Sequence, residues 1–135
     1  MVKSIAMTTD LRMLVWTAGL TALMWLPYIL VHVLKNGMIE ALTYRADTVP
    51  LPDWAARAKK AHYNAIENLA PFAALVIVAH LTTATNEATA AACIAYFWAR
   101  LAHYVLYIAN VPFGRTITFA IGWLAILCIF WQIVT

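Results

Sequence analysis

The chain has 135 residues, of which 64% are hydrophobic and only 11% charged. A soluble domain carries about 25% charged residues, so this composition argues against an ordinary soluble fold and indicates an integral membrane protein. The formal charge of +3, from nine basic and six acidic residues, is too small and too scattered to indicate nucleic-acid binding.

Four apolar segments follow one another along the chain, and each is close to the roughly 20 residues that cross a bilayer as a helix. Pro27 should kink the first segment. The second continues a more polar helix that begins near Pro52, a residue typical of helix starts. We therefore predict an all-α, integral membrane four-helix bundle forming a single domain, residues 1–135, with one looser polar stretch at residues 35–51. The predicted spans cover residues 11–34, 64–82, 88–109 and 116–134.

The basic residues predict an orientation in the membrane. Six of them lie in the connections between spans one and two and between spans three and four, against two on the opposite side. Because cytoplasmic segments are enriched in Lys and Arg, both connections should be cytoplasmic and both termini outside. The six are Lys35, Arg45, Arg57, Lys59, Lys60 and Arg115, and the two are Lys3 and Arg12.

A polar stripe runs along the second predicted helix. Lys60, Asn64, Glu67 and Pro71 stand at i, i+4, i+7 and i+11, and Arg57 extends the stripe by three residues. This spacing places them on one helical face. Ionisable and amide side chains are costly in a membrane and mark functional sites there.

A second polar stripe lies on the third span, where Arg100, His103 and Tyr107 stand at i, i+3 and i+7. Arg115 opens the fourth span. In the predicted orientation both stripes lie toward the cytoplasmic ends of their helices. We expect them to line one cavity that faces the cytoplasm.

The residue types predict the ligand of such a cavity. The basic members Arg57, Lys60, Arg100 and Arg115 attract carboxylates, which arginine can bind in a bidentate manner. Glu67 and Asn64 suit an ammonium group or a backbone amide. A small zwitterion with excess negative charge fits this set, and a nearby cation would favour a thiolate over a thiol.

A simpler interpretation is structural. Arg100 and Glu67 would then form a buried ion pair that fixes helix packing, with Asn64 as an interhelical hydrogen-bonding group. We interpret His32 and His80 as structural residues. Cys93 and Cys128 lie in apolar runs and are interpreted as packing residues, so we predict no metal site.

Two blocks of the sequence resemble the membrane-associated proteins in eicosanoid and glutathione metabolism, the MAPEG family. They are RAKKAHYNAIENLAPF, at residues 57–72, and ARLAHYVLYIANVPFGRTITFAIGW, at residues 99–123. Length and span order match the family from end to end, and the chain looks closest to its small bacterial branch. The resemblance implies a homotrimer that binds glutathione between subunits, with the site facing the cytoplasm of a bacterial inner membrane.

The resemblance also implies roles for individual residues of the second helix. Asn64 and Glu67 would hold the amino end of glutathione, and Lys60 stands where better-studied members have an arginine. Lysine keeps the charge but loses the planar fork. Lys35 is a weaker candidate for a contact from the neighbouring subunit.

For the third and fourth spans, the resemblance implies that Arg100 positions carboxylates and that His103 and Tyr107 contact the peptide. Arg115 would stabilise the thiolate, although its distance along the chain from Tyr107 differs by about one residue from the eicosanoid enzymes. Phe119 stands where a prostaglandin synthase of the family has a tyrosine, which argues against that isomerase reaction.

Three functions are compatible with these residues. The first is a glutathione transferase or peroxidase that acts on lipophilic electrophiles. The second is a non-catalytic membrane subunit that retains the fold, because a fold does not fix an activity. The third, ranked last, is a small transporter with Glu67 as the coupling carboxylate.

Overall fold

The computed structural model describes residues 4–135, apart from the side chains of residues 46 and 47, so Lys3 lies outside the described residues. All regular secondary structure within this part is helical. The helices are α1 (Thr9–Leu23), α2 (Leu26–Asn36), α3 (Met38–Leu42), α4 (Asp53–Leu81), α5 (Glu87–Ile108) and α6 (Pro112–Val134), with a short 3₁₀ turn at Arg45–Thr48.

The first predicted span is two helices joined end to end. α1 ends at Leu23, and α2 begins at Leu26 with Pro27 in its first turn. The break precedes the proline, because its nitrogen cannot donate a hydrogen bond to the carbonyl of Leu23, four residues earlier, and its ring crowds that carbonyl. The predicted kink is a two-residue break at Met24 and Trp25, whose backbones stay in the right-handed helical region.

The segment at residues 35–51 is more ordered than we predicted. α3 and the 3₁₀ turn lie within it, so the expectation of a loose stretch is wrong. Arg45 and Glu40 form an exposed ion pair at 3.6 Å that joins these two short elements.

Tight turns connect the last three helices. Thr83, with φ of 57°, follows α4, and Asn86 caps α5 by a reciprocal hydrogen-bond pair with Thr89. The side chain of Asn86 also donates to Gln132 Oε1 at 2.6 Å, which fastens the start of α5 to the end of α6. These connections hold α4, α5 and α6 antiparallel to their chain neighbours.

The apolar core occupies one half of the bundle. It lies near the connection between α4 and α5, where α1, α4, α5 and α6 meet, and Phe72 stacks on Tyr96 with ring centroids 3.8 Å apart. The buried members are Phe72, Val76, Ala79, Ala92, Cys93, Tyr96, Ala125, Ile126 and Ile129.

Four helical stretches among the described residues are long and apolar enough to cross a membrane, namely Thr9–Asn36, Asp53–Leu81, Glu87–Ile108 and Pro112–Val134. They confirm the predicted all-α architecture with four spans. The half of the bundle opposite the apolar core, near the connection between α5 and α6, carries most of the polar residues singled out above. We call it the polar end.

Candidate functional site

The turn between α5 and α6 sets the geometry of the polar end. Asn110 has φ of 59°, the N–H of Val111 donates to Leu106 O at 3.0 Å, and that of Asn110 donates to Tyr107 O at 3.1 Å. This is a Schellman motif, in which asparagine is one of the few residues that tolerate the left-handed position. Pro112 then opens α6 at a position where no N–H is needed.

This turn brings Arg115 over Tyr107. The guanidinium carbon lies 4.8 Å from the centroid of the Tyr107 ring, which is a cation–π distance. Side chains tilt toward the N-terminus of their helix, so the Arg115 cation lies near the first turn of α6. The unbonded N–H groups there add partial positive charge.

Arg100 is the buried centre of the site. It is only 3% exposed, and its Nη2 donates to Asn64 Oδ1 at 2.6 Å across the α4–α5 interface. Gly122 of α6 packs against it, since a Cβ there would lie in ordinary contact with Arg100 Cδ, at 3.6 Å. Arg100 Nε is buried and has no hydrogen-bond partner in the described structure.

His103 lies beside Arg100 and is also 3% exposed. Its Nδ1 is 3.4 Å from Arg100 Nη2. Because a guanidinium can only donate, Nδ1 is the acceptor, and the neutral ring carries its proton on Nε2. The ring packs edge-on against Tyr107, with centroids 5.5 Å apart, and lies 6.2 Å from the ring of Phe119.

The structure thus brings together five predicted site residues within one chain: Asn64, Arg100, His103, Tyr107 and Arg115. Arg57 lies at the same end, but its Nε donates to Ile108 O at 2.9 Å. It therefore satisfies a carbonyl that the C-terminus of α5 leaves without an intrahelical partner, which gives it a structural role as well.

Lys60 and Glu67 do not join this cluster within the chain. Both are exposed, on the side of α4 turned away from its buried alanines. The Arg100–Glu67 ion pair does not form: among the described side chains, the ion pair within 4 Å is that of Arg45 with Glu40. Pro71 is exposed within an uninterrupted α4.

Two polar contacts were not predicted from the sequence. Tyr28 and His62 share a hydrogen bond of 2.8 Å between Oη and Nδ1, and Tyr104 Oη donates to Met24 O at 3.0 Å in the break between α1 and α2. Both join residues far apart in the chain, and neither has a spacing signal. The buried alanines of α4, by contrast, recur at helical spacing: Ala55, Ala58, Ala61 and Ala65 mark its core-facing side.

The comparisons with known proteins agree with this architecture. The family model described as the MAPEG family matches residues 13–135. No curated protein and no solved structure matches the chain. Because the family model covers most of the first span, all of the other three and every residue of the polar cluster, the chain is an integral membrane protein that belongs to the MAPEG family.

Proposed function

We propose that this protein binds glutathione at the polar end and acts as a glutathione transferase or peroxidase on lipophilic electrophiles. Membership of the MAPEG family supports a membrane function related to glutathione or eicosanoid metabolism in general. The observation that carries the proposal is Arg100: a guanidinium that is 3% exposed and bound to an amide rather than to a carboxylate. A buried cation without a counter-charge is costly, and an anionic ligand nearby offsets that cost.

Arg100 also fixes which group Asn64 offers to a ligand. Arg100 Nη2 donates to Asn64 Oδ1 at 2.6 Å. Because a guanidinium cannot accept a hydrogen bond, the NH₂ group of Asn64 cannot take the place of Oδ1 in this contact. Asn64 therefore presents its NH₂ group, which suits a carboxylate. Glu67, three residues further along α4, would take the neighbouring ammonium, so the pair fits the amino-acid head of the γ-glutamyl residue.

The exposed position of Lys60 and Glu67 supports a site completed by a second copy. Both are exposed and outside the cluster that one chain forms, and a ligand that contacted both the cluster and these residues would extend beyond one chain. We propose a homotrimer with glutathione between neighbouring subunits. The shared location of Lys35, Arg57 and Arg115 at the polar end supports a cytoplasmic site, with the termini outside a bacterial inner membrane.

Arg115 is the proposed catalytic residue. Its cation and the first turn of α6 would both lower the pKa of the bound glutathione thiol, because each favours the charged form. The thiolate sulfur would then form a bond to an electrophilic carbon while the leaving group departs with its electron pair. With a lipid hydroperoxide, two glutathione molecules would be oxidised to the disulfide, yielding an alcohol and water.

The test measures thiolate absorbance of glutathione added to the purified protein at neutral pH. Wild type should show a thiolate signal that saturates with glutathione concentration. Arg115→Ala should lose it while still binding glutathione by calorimetry. Arg12→Ala removes an exposed arginine of α1, at the opposite end of the bundle, and should behave as wild type.

A non-catalytic membrane subunit is the second candidate. Phe119, an apolar ring 6.2 Å from His103, favours it, because it supplies no hydroxyl beside the proposed thiol site. Glutathione binding without a thiolate signal in the wild type, together with stable co-purification of a larger complex, would select this function over the first.

A further inference from the structure

A polar cavity lies at the polar end, on a different side of α4 from the Arg100 cluster. Its volume is about 360 Å³, within the range of small-molecule sites, and it is an open pocket bordered by α2, the segment at residues 48–51 and the beginning of α4. Its polar lining consists of His32, Thr48, Lys59, Lys60 and Tyr63. Neither Arg100 nor Asn64 contributes to it.

The lining is cationic. Lys59 Nζ lies 5.7 Å from the centroid of the Tyr63 ring, four residues along α4, so a cation–π contact holds the ammonium at the cavity wall. Lys60 adds a second ammonium. Among the lining side chains that the structure describes, none is a carboxylate, so the cavity suits an anion.

His32 supplies an independent observation. It is 7% exposed, lines the cavity, and its buried Nδ1 has no hydrogen-bond partner among the described side chains, which exclude those of residues 46 and 47. Packing of α2 on α4 does not require a bond from His32, because Tyr28, one turn earlier, already bonds to His62 at 2.8 Å. An unpaired buried nitrogen is costly, and a ligand oxygen in the cavity would remove that cost.

The location and the rim indicate the kind of anion. The cavity lies beside the end of α2 at Asn36 and the polar first turns of α4, which begin at Asp53 and precede the predicted apolar span at residues 64–82. Its rim is apolar, formed by Val49, Pro50 and Leu51. Leu34 of the adjoining α2 is 83% exposed and provides a surface for an acyl chain.

We propose that this cavity binds the phosphate of an anionic phospholipid headgroup, with Lys59 and His32 as its principal contacts. Lys60 lines this cavity and is also assigned to the glutathione site, so a Lys60 variant would not distinguish lipid binding from glutathione binding. The proposal does not depend on glutathione binding.

The test is native mass spectrometry of the detergent-solubilised protein, titrated with short-chain phosphatidylglycerol or phosphatidylcholine. Wild type should retain one phosphatidylglycerol per chain in preference to phosphatidylcholine. Lys59→Gln should weaken that retention about fivefold, the effect expected of one interfacial cation. Arg45→Gln is the matched control, because Arg45 lies at the same end and outside the cavity lining, and it should match wild type.

Two further arms complete the test. His32→Phe removes the buried nitrogen and should weaken phosphatidylglycerol retention as well. If this variant fails to fold, Lys59→Gln still tests the proposal, because Lys59 is partly exposed and its replacement does not disturb the core. Free glycerol phosphate that binds as tightly as the lipid would support the phosphate site and assign its source to the aqueous phase. Equal retention of both lipids, or an unchanged Lys59→Gln variant, would overturn the proposal. So would displacement of phosphatidylglycerol by glutathione in wild type but not in Asn64→Asp.

Discussion

The two ends of the bundle are stabilised in different ways. In the apolar half, aromatic and aliphatic side chains fill the space between four helices, and Phe72, Val76 and Ile129 are at most 1% exposed. In the polar half the same α4, α5 and α6 surround a guanidinium that has an amide and an imidazole as partners. The side chains of the first arrangement are apolar, whereas in the second Arg100 Nε has no hydrogen-bond partner among the described residues.

The comparison separates stability from function along the helices. Residues of the apolar half should affect unfolding with little direct effect on ligand binding. Residues of the polar half should affect binding with little effect on unfolding, because Arg100 is bound to an amide and its replacement by an apolar side chain removes a buried charge without leaving a carboxylate unpaired. The following substitutions test this separation, beginning with the largest expected effect.

Phe72→Ala should produce the largest loss of stability. Phe72 is 0% exposed and stacks on Tyr96, and truncating a buried phenylalanine costs about 3–5 kcal/mol. Denaturant unfolding in detergent should show the loss, while glutathione affinity of the protein that remains folded stays unchanged. Phe130→Ala, at a ring that is 48% exposed on α6, should cost far less. Equal losses for the two variants would contradict the assigned core.

Arg100→Met should show the reverse pattern. Without its donor the Asn64 amide is no longer oriented, and hydrogen bonds to charged groups contribute about 2 kcal/mol, so the Kd for glutathione should rise about thirtyfold. Unfolding free energy should change by no more than about 1 kcal/mol. Calorimetry and denaturant unfolding measure the two effects. A loss of stability as large as that of Phe72→Ala, with Kd unchanged, would make Arg100 a structural residue.

Gly122→Ala should have the smallest effect. Its Cβ would meet Arg100 Cδ at 3.6 Å and Tyr96 ring atoms at 3.7 Å, which are ordinary contacts, and alanine is favoured over glycine in a helix by about 0.5–1 kcal/mol. We expect slight stabilisation and unchanged binding. Gly19→Ala, where a Cβ would meet nothing within 4 Å, isolates the helix-propensity contribution. Lost binding in Gly122→Ala alone would show that α6 does not pack on Arg100 as described.

Sequence periodicity predicted the spans well because long apolar helices leave a strong signal. α5 (Glu87–Ile108) differs by one residue at each end from the prediction, whereas α6 begins at Pro112, four residues early. The asparagine that ends α5 and the proline that opens α6 are local turn signals. A hydropathy profile does not detect these turn signals, so the predicted fourth span began too late.

The site was only partly predictable. Spacing placed Asn64 and Glu67 on one face of α4, but a helical face is broad, and only Asn64 contacts Arg100. The stripe of buried alanines at Ala55, Ala58 and Ala61 defines the core-facing direction and would have put Glu67 outside. The Tyr28–His62 bond depends on tertiary packing between residues 34 positions apart, which no spacing rule reveals.

The central claim is that Asn64, oriented by Arg100, donates its amide NH₂ to a carboxylate of glutathione. Thermal unfolding of wild type and Asn64→Asp, measured over a range of glutathione concentrations, tests it most directly. The aspartate keeps an acceptor for Arg100 but removes the donor and repels a carboxylate. We expect the wild-type midpoint to rise with glutathione as binding linkage requires, and the variant midpoint to stay constant while its ligand-free stability is maintained. Equal rises in both proteins, or no rise in wild type, would contradict the claim.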